Sequence, residues 1–370
     1  MDFAFTEEHE ELRQAVRRFL EKESSESAMR AAMETERGFE ARVWDRLASE
    51  MALPGLAIPE RYGGAGLGPV ELAIVMEEMG RVLFCGPYLS TAVLAVAVLT
   101  TIADDAAQAE LLPEIAAGRA IVTVATTDDN GRSAPEFPPV RAVRDGTGWR
   151  LDGVANFVPD GHSADVILVA GRDDDGVGIF RVDGGAPRLD RRLLPTLDLT
   201  RKLARLVLSG TPATRISAGD ATAGLERVLA LAVMALAAEQ TGGAQRCLEM
   251  ATDYARTRLQ FGRPIGSFQA IKHKCADMLV EIEFARSAVY YAAFRAADRD
   301  EELLVAAHMA KSYCSEAYFH AAAETIQIHG GMGFTWEHPA HLYFKRAKAS
   351  AILLGDAVEQ RRKLAARLGI

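Results

Sequence analysis

The sequence predicts an α+β multidomain chain: an N-terminal helical domain, a central small β-barrel or sandwich, and a C-terminal four-helix bundle. Three observations carry this expectation. Apolar residues recur at helical spacing near both ends of the chain. At Arg119 the pattern turns into short strand-like runs separated by turn residues. After Ala221 long helical segments return with short loops between them, as in an antiparallel bundle. The expected boundaries are 1–118, 119–217 and 218–370. At 370 residues the chain is also too long for one simple core.

Composition narrows the class. A hydrophobic fraction of 49% with 25% charged residues is that of a soluble globular protein. The net charge of −9 excludes the basic footprint expected of a nucleic-acid binder. The acidic start, Met1 to Glu11, does not read as a secretory leader. The longest apolar run, Thr91 to Ile102, is too short for a membrane span. Cys85, Cys247, Cys275 and Cys314 show no CxxC spacing and sit in apolar helical contexts. They are expected to be reduced core residues of a cytoplasmic protein. The eight histidines form no ligand-spaced cluster, so no metal site is expected.

The elements follow in order. Thr6 is placed to cap a first helix whose glutamates Glu7, Glu8, Glu10 and Glu11 suit the positive end of the helix dipole. Leu12, Ala15, Val16, Phe19 and Leu20 mark its buried face. A Pro/Gly-rich connector, Leu53 to Pro69, precedes further helical patterns from Val70, Tyr88, Asp105 and Leu112. Strands are expected at Ile121–Ala125, Trp149–Val154, Val166–Ala170, Val177–Val182 and Ala204–Leu208, separated by Asp-Gly and Gly-Gly turns. No GxGxxG joins a strand to a helix, so a Rossmann fold is not supported.

The most informative stretch is Tyr254-Ala-Arg-Thr-Arg-Leu-Gln-Phe-Gly-Arg-Pro-Ile-Gly-Ser267. It reads as a helix end, a tight turn punctuated by Gly262, Pro264 and Gly266, and a new helix capped by Ser267. Phe268, Ile271, Cys275, Met278, Leu279 and Ile282 form the buried stripe of that helix. Arg256, Arg258, Arg263 and Lys272 around a turn with exposed backbone donors suit a phosphate-bearing ligand. An ordinary helical hairpin with a solvated basic rim fits the same residues. A third helix, Glu301 to Ile328, runs into Gln327-Ile-His-Gly-Gly-Met-Gly-Phe-Thr335, where glycines stop the helix and permit close backbone approach. Helices over Trp336–Ala349 and Ala357–Leu368 complete the chain.

With these elements in place, the chain resembles the acyl-CoA dehydrogenase family over essentially its full length. The resemblance rests on Leu56-Ala-Ile-Pro-Glu-Arg-Tyr-Gly-Gly-Ala-Gly66, on Arg-Thr-Arg-Leu-Gln-Phe-Gly262 and on Gln327-Ile-His-Gly-Gly-Met-Gly-Phe334, in the family's order. It implies the acyl-CoA dehydrogenase fold, FAD as cofactor and an acyl-CoA thioester as substrate. In such enzymes a carboxylate removes the α-proton while the β-hydrogen leaves as hydride to the flavin, and hydrogen bonds to the thioester carbonyl stabilise the developing enolate. The resemblance places Arg258, Gln260 and Phe261 at the ADP half of an FAD held mainly by a neighbouring subunit. Gln327, Gly330 and Gly331 contribute to the same half, whereas His329 keeps a structural, surface reading. It further implies a homo- or hetero-oligomer, with an electron-transfer flavoprotein or similar acceptor if the protein is active.

Three departures qualify the resemblance. The usual catalytic glutamate is replaced by Leu354, before Gly355. The alternative base position, on the helix before the basic turn, is Ala232. Glu226, Glu239 and Asp356 lie nearby in sequence, and Glu239 and Asp356 are candidate displaced bases. Glu239 sits among small apolar residues, where a carboxylate would be buried or line a cavity and its pKa would be raised. Finally, the family's flavin-ring loops are replaced by Ala125-Thr-Thr-Asp-Asp-Asn-Gly-Arg-Ser-Ala134 and Phe157-Val-Pro-Asp-Gly161, where the indole is missing and Pro159 removes a backbone donor. The pattern resembles the non-catalytic subunit of heteromeric (α2β2) actinobacterial acyl-CoA dehydrogenases. A self-sufficient homo-oligomeric enzyme with a displaced base, and a flavin-free acyl-CoA-binding or scaffold protein, are the alternatives.

Overall fold

The structure, a computed structural model, describes residues 5–298 and 301–370. The chain divides into two compact units. One comprises Ala31–Leu72 and Cys85–Ala232; the other comprises Ala73–Phe84, Val233–Ile370 and the described part of Met1–Arg30. The helices are α1 (Glu7–Glu23), α2 (Glu26–Glu34), α3 (Ala41–Ser49), α4 (Pro69–Arg81), α5 (Val96–Thr101), α6 (Asp105–Ala116), α7 (Thr222–Thr257), α8 (Gln269–Ala297), α9 (Glu302–His329), α10 (Ala340–Ile352) and α11 (Ala357–Leu368). A π-helical stretch, Tyr88–Ala95, leads into α5. The strands are β1 (Val122–Ala125), β2 (Val140–Asp145), β3 (Gly148–Pro159), β4 (Val166–Asp173), β5 (Gly176–Asp183), β6 (Leu189–Leu193), β7 (Leu203–Arg215), β8 (Leu259–Gln260) and β9 (Arg263–Pro264). In chain order these are N-terminal helices, strands that form a small barrel, and C-terminal helices, the element order expected from the sequence.

The barrel closes through the pairings β4–β2, β2–β3, β3–β7, β7–β5 and β5–β4, with β1 added on β4 and β6 on β7. Closure leaves the five ring strands no free edge. Residues of β4 from Val166 to Gly171 are all buried, which explains their unbroken apolar run. Sequence patterning missed β2 and β6. Both are rich in charge, with Arg141, Arg144 and Asp145 in one and Asp190, Arg191 and Arg192 in the other, and both have a solvated face. A search for apolar runs passes over such strands.

In the helical unit, α1 begins as expected, with Thr6 accepting from the His9 backbone N–H; the reciprocal partner is His9 rather than a glutamate. Helices α4 and α7 approach at backbone contact. A Cβ added at Gly80 would overlap the Glu239 carbonyl, and one added at Gly242 would overlap that of Glu77. Glycine at both positions permits the crossing. Three boundary expectations change. Ser267 does not cap α8, because Ile265–Ser267 forms a 3-10 turn and Phe268 takes the cap position without a side-chain bond. Trp336 lies outside the following helix, which starts at Ala340 after Pro339. Leu279, expected in the buried stripe, is exposed. Cys85, Cys247 and Cys314 are buried and Cys275 half-buried, all as free thiols. Among the described residues, no helix is long and apolar enough to cross a membrane.

The glycine crossing yields a test. Gly242→Ala should destabilise the protein by about 1–3 kcal/mol through overpacking, although alanine is the better helix former. Denaturant unfolding of the full chain should show the loss, and an unchanged or raised midpoint would refute the close approach.

Candidate functional site

Helix α7 is held through its last turn, where the Arg258 N–H donates to the Tyr254 carbonyl at 2.8 Å. The expected simple turn is a two-stranded hairpin: Leu259 faces Pro264 and Gln260 faces Arg263. Its tip is Phe261-Gly262, with φ of +52° and +76°. Two successive positive φ values are those of a type I′ turn. The Ile265 N–H donates to the Arg258 carbonyl at 2.8 Å and closes the base of the hairpin. Gly266 packs on the α7 backbone, where its Cβ would lie 2.9 Å from the Ala255 carbonyl oxygen.

The side chains on this arm divide into two groups. Arg256 pairs with Asp253 at 3.6 Å, and the Arg263 guanidinium lies 4.1 Å from the Phe268 ring centre. Arg258 has no carboxylate partner among the described residues, and it is exposed, as is Gln260. Phe261 is 90% exposed, its ring making an edge contact with Phe268 at 6.0 Å between centroids. A free cation, an amide and an unpacked ring are thus presented together on a short, closed hairpin.

The end of α9 lies beside the root of this arm. Thr325 Oγ donates to the Cys247 carbonyl at 2.9 Å, and the His329 ring stacks on Tyr254 at 4.4 Å. His329 is therefore not a surface residue; it is buried, with Nδ1 2.8 Å from the Thr325 carbonyl. Gly330 then adopts φ +62° and ψ −142°, a conformation essentially closed to other residues. Nothing lies within 4 Å of where a Cβ would stand on Gly330, Gly331 or Gly262. Gln327, Gly330 and Gly331 are exposed. The structure thus brings the two sequence-predicted groups onto adjacent elements, with open space over three glycine backbones.

The candidate bases are not brought to this place. Glu239 is buried, but its Oε1 is 3.0 Å from the Arg346 guanidinium, itself buried. A carboxylate paired with a buried cation is spoken for, since taking it away would leave that charge uncompensated. Asp356 is exposed and caps α11, its Oδ1 accepting from the Glu359 N–H at 2.9 Å. Ala232 is buried, and Glu226 is half-buried. Leu354 is half-buried at φ +61° in the α10–α11 loop. Gln360 Nε2 donates to its carbonyl at 2.7 Å, and the buried Lys311 Nζ donates to Ser350 and Ala351 carbonyls at 2.8 and 3.2 Å. Lys311 escaped sequence reasoning because a lysine on an otherwise ordinary helix gives no local signal of burial.

In the barrel unit, the 125–134 loop folds on itself. Asp128 accepts from the backbone N–H groups of Asn130 and Arg132, and Ser133 Oγ donates to Thr126 Oγ at 3.2 Å. A bulge in β3 between Ala155 and Val158 holds Asn156, whose N–H donates to the Thr127 carbonyl at 3.1 Å. Phe157, at φ +53°, leans on Gly131. The polar groups of both replaced segments are largely engaged with one another.

Comparison with known proteins agrees with the architecture. Residues 6–119 match the acyl-CoA dehydrogenase N-terminal domain family, and residues 224–369 match the acyl-CoA dehydrogenase C-terminal domain family. Acyl-CoA dehydrogenase IpdE2 of Mycolicibacterium smegmatis is 36% identical over 98% of this chain and 99% of its own length. The ChsE4-ChsE5 complex from Mycobacterium tuberculosis contains a chain of similar fold, with a TM-score of 0.92 and 31% identity, covering 100% of this chain and 99% of that one. A variant of the Tcur3481-Tcur3483 steroid ACAD superposes with a TM-score of 0.90 at 34% identity, over 98% of each chain.

Two substitutions separate structural from chemical roles. Glu239→Gln leaves Arg346 buried without its anionic partner and should cost about 3–5 kcal/mol of stability. Asp356→Ala removes one helix cap and should cost about 1 kcal/mol. Thermal unfolding of both variants checks the ranking; a fully stable Glu239→Gln protein would reopen that carboxylate to a catalytic role.

Proposed function

The chain belongs to the acyl-CoA dehydrogenase family, and on that premise we propose that it is a base-lacking subunit that completes the FAD site of a family paralogue. The observation that carries this reading is the asymmetry of its site residues. Arg258, Gln260 and Phe261 stand on an exposed hairpin, where Phe261 meets an edge of Phe268 and is otherwise open to solvent among the described residues. The positions from which a base would act hold Leu354 and Ala232, neither able to accept a proton. The two candidate displaced bases are committed, Glu239 to Arg346 and Asp356 to the start of α11.

FAD is the family's cofactor, and the hairpin and glycine turn fit its ADP half. Arg258 would pair with the pyrophosphate, a charge-assisted bond to an anion. Phe261 would cover an apolar ring face, and Gln260 and Gln327 offer amide donors and acceptors. The bare backbone at Gly330 and Gly331 would allow phosphates to approach. When bound, the flavin supplies the acceptor for the hydride lost from the acyl chain. This chain's residues would orient it, while the carboxylate that takes the α-proton would come from the partner. Similarity to a steroid ACAD supports a bulky acyl-CoA as the substrate class of the assembly, with an electron-transfer flavoprotein or similar acceptor downstream.

Purification distinguishes the readings. Expressed alone, the protein should be colourless; co-expressed with a catalytic family paralogue, it should co-purify as a yellow complex that oxidises an acyl-CoA. A yellow homo-oligomer that bleaches with an acyl-CoA would refute the subunit reading, and a chain colourless with every paralogue would favour a scaffold. Within the complex, Arg258→Ala should weaken FAD retention by about 10- to 100-fold, the loss of one hydrogen bond to a charged group. Leu354→Ala should change kcat by less than about twofold, because a leucine accepts no proton.

A further inference from the structure

The segment from Gly330 to Glu337 leaves α9 and returns to α10 as a loop whose two ends are joined by rings. His329, before it, and His338, after it, have ring centroids 4.2 Å apart, and His329 stacks on Tyr254 at the root of the hairpin. We propose that neutral His338 is a positioning residue for the dinucleotide loop, clasping it shut against His329 and Tyr254, and that protonation of His338 opens the clasp. The inference rests on the assignment of Gly330 and Gly331 to the ADP half-site.

The tautomer supports it. His338 Nδ1 accepts from the Ala340 backbone N–H at 3.2 Å, so that nitrogen carries no proton in the closed form. Ala340 is the first residue of α10, where helix N–H groups concentrate positive potential. A proton on Nδ1 would break the bond, and an imidazolium there would oppose the dipole. Other charges around the ring are mixed: Arg30 opposes protonation and Glu26 favours it, both from α2, and His329 opposes it. His341, on α10, faces Lys345 and Arg30 and touches Trp336 at 4.7 Å between centroids. Burial first, then His329, holds His338 below the ordinary imidazole value of 6.5, and burial lowers His329 as well. Because the closed form's value is depressed, its stability is complete above the ordinary value and is lost as pH falls toward the closed-form value. The loop carries the exposed side chains Met332, Phe334 and Trp336, which would move with it.

Hydrogen exchange of the full-length protein tests this, read on peptides spanning 330–337 and corrected for intrinsic rates. Protection should fall at least ~3-fold between pH 7.5 and 5.5, as local opening gains a proton. His338→Asn keeps an acceptor for Ala340 without a titrating group, and its protection should be independent of pH. His338→Lys should be poorly protected at both pH values. A flat wild-type profile, or a pH step retained in His338→Asn, would overturn the clasp. FAD retention by the co-expressed complex should fall over the same pH range in the wild type and not in His338→Asn. If the loop opens and FAD retention does not change, the clasp stands as a titrating contact but its role at the dinucleotide is overturned.

Discussion

Two consecutive carboxylates hold the helical unit together. Glu77 and Glu78 sit in α4 among apolar neighbours, both buried, where an unpaired charge would be costly. Arg17 of α1 grips Glu78 through two bonds of 2.8 and 2.7 Å, and Arg13 lies 2.8 Å from Glu77 and 3.3 Å from Glu78. From α8, Arg286 pairs with Glu77, and Tyr290 donates to the same carboxylate at 2.5 Å. Arg81 extends the network to Glu249 on α7 through bonds of 2.8 and 2.9 Å. Three helices, α1, α7 and α8, are thus registered on α4. Because the exposed hairpin is the connection between α7 and α8, its direction is inherited from that register.

Much of the fold was legible because it depends on periodicity. Helical spacing in α1, α7 and α8 and the change of period at Arg119 are local signals that survive in a single sequence. The strands β2 and β6 escaped because partial burial mixes charges into them. Ser267 misled because a serine before an apolar stripe resembles a cap, yet the 3-10 turn it ends shifts the helix start by one residue. The site was legible in part for the same reason. Gly262 and Gly330 announce unusual backbone, and that holds at φ of +76° and +62°. Long-range pairing was hidden: that Glu239 meets Arg346, 107 positions away, follows only from packing. The Glu77-Glu78 dipeptide in an apolar helix was a readable clue to a buried ionic network, since charges there demand cations.

The two sets of family-related segments behave in opposite ways. The hairpin and the Gly330–Gly331 turn keep their polar and aromatic groups outward and their backbone bare. The 125–134 loop and the β3 bulge turn their groups toward each other, through Asp128, Ser133 and Asn156. Hydrogen-bonding capacity satisfied internally is capacity withdrawn from a ligand, since a donor already paired gains little from a new acceptor. The contrast needs no change of fold, only a redistribution of a few side-chain bonds on a retained scaffold.

Leu354 shows how far such redistribution can be confined. A leucine in the left-handed region costs roughly 1–2 kcal/mol, and the residue itself does not impose that backbone. The conformation is imposed from outside, by Gln360 on the Leu354 carbonyl, by His308 2.7 Å from Gln360 Oε1, and by Lys311 on the last carbonyls of α10. The loop is therefore a mount whose shape does not depend on what is mounted. The side chain at this position can be exchanged without rebuilding the surrounding frame, because no bond that shapes the loop is made by it.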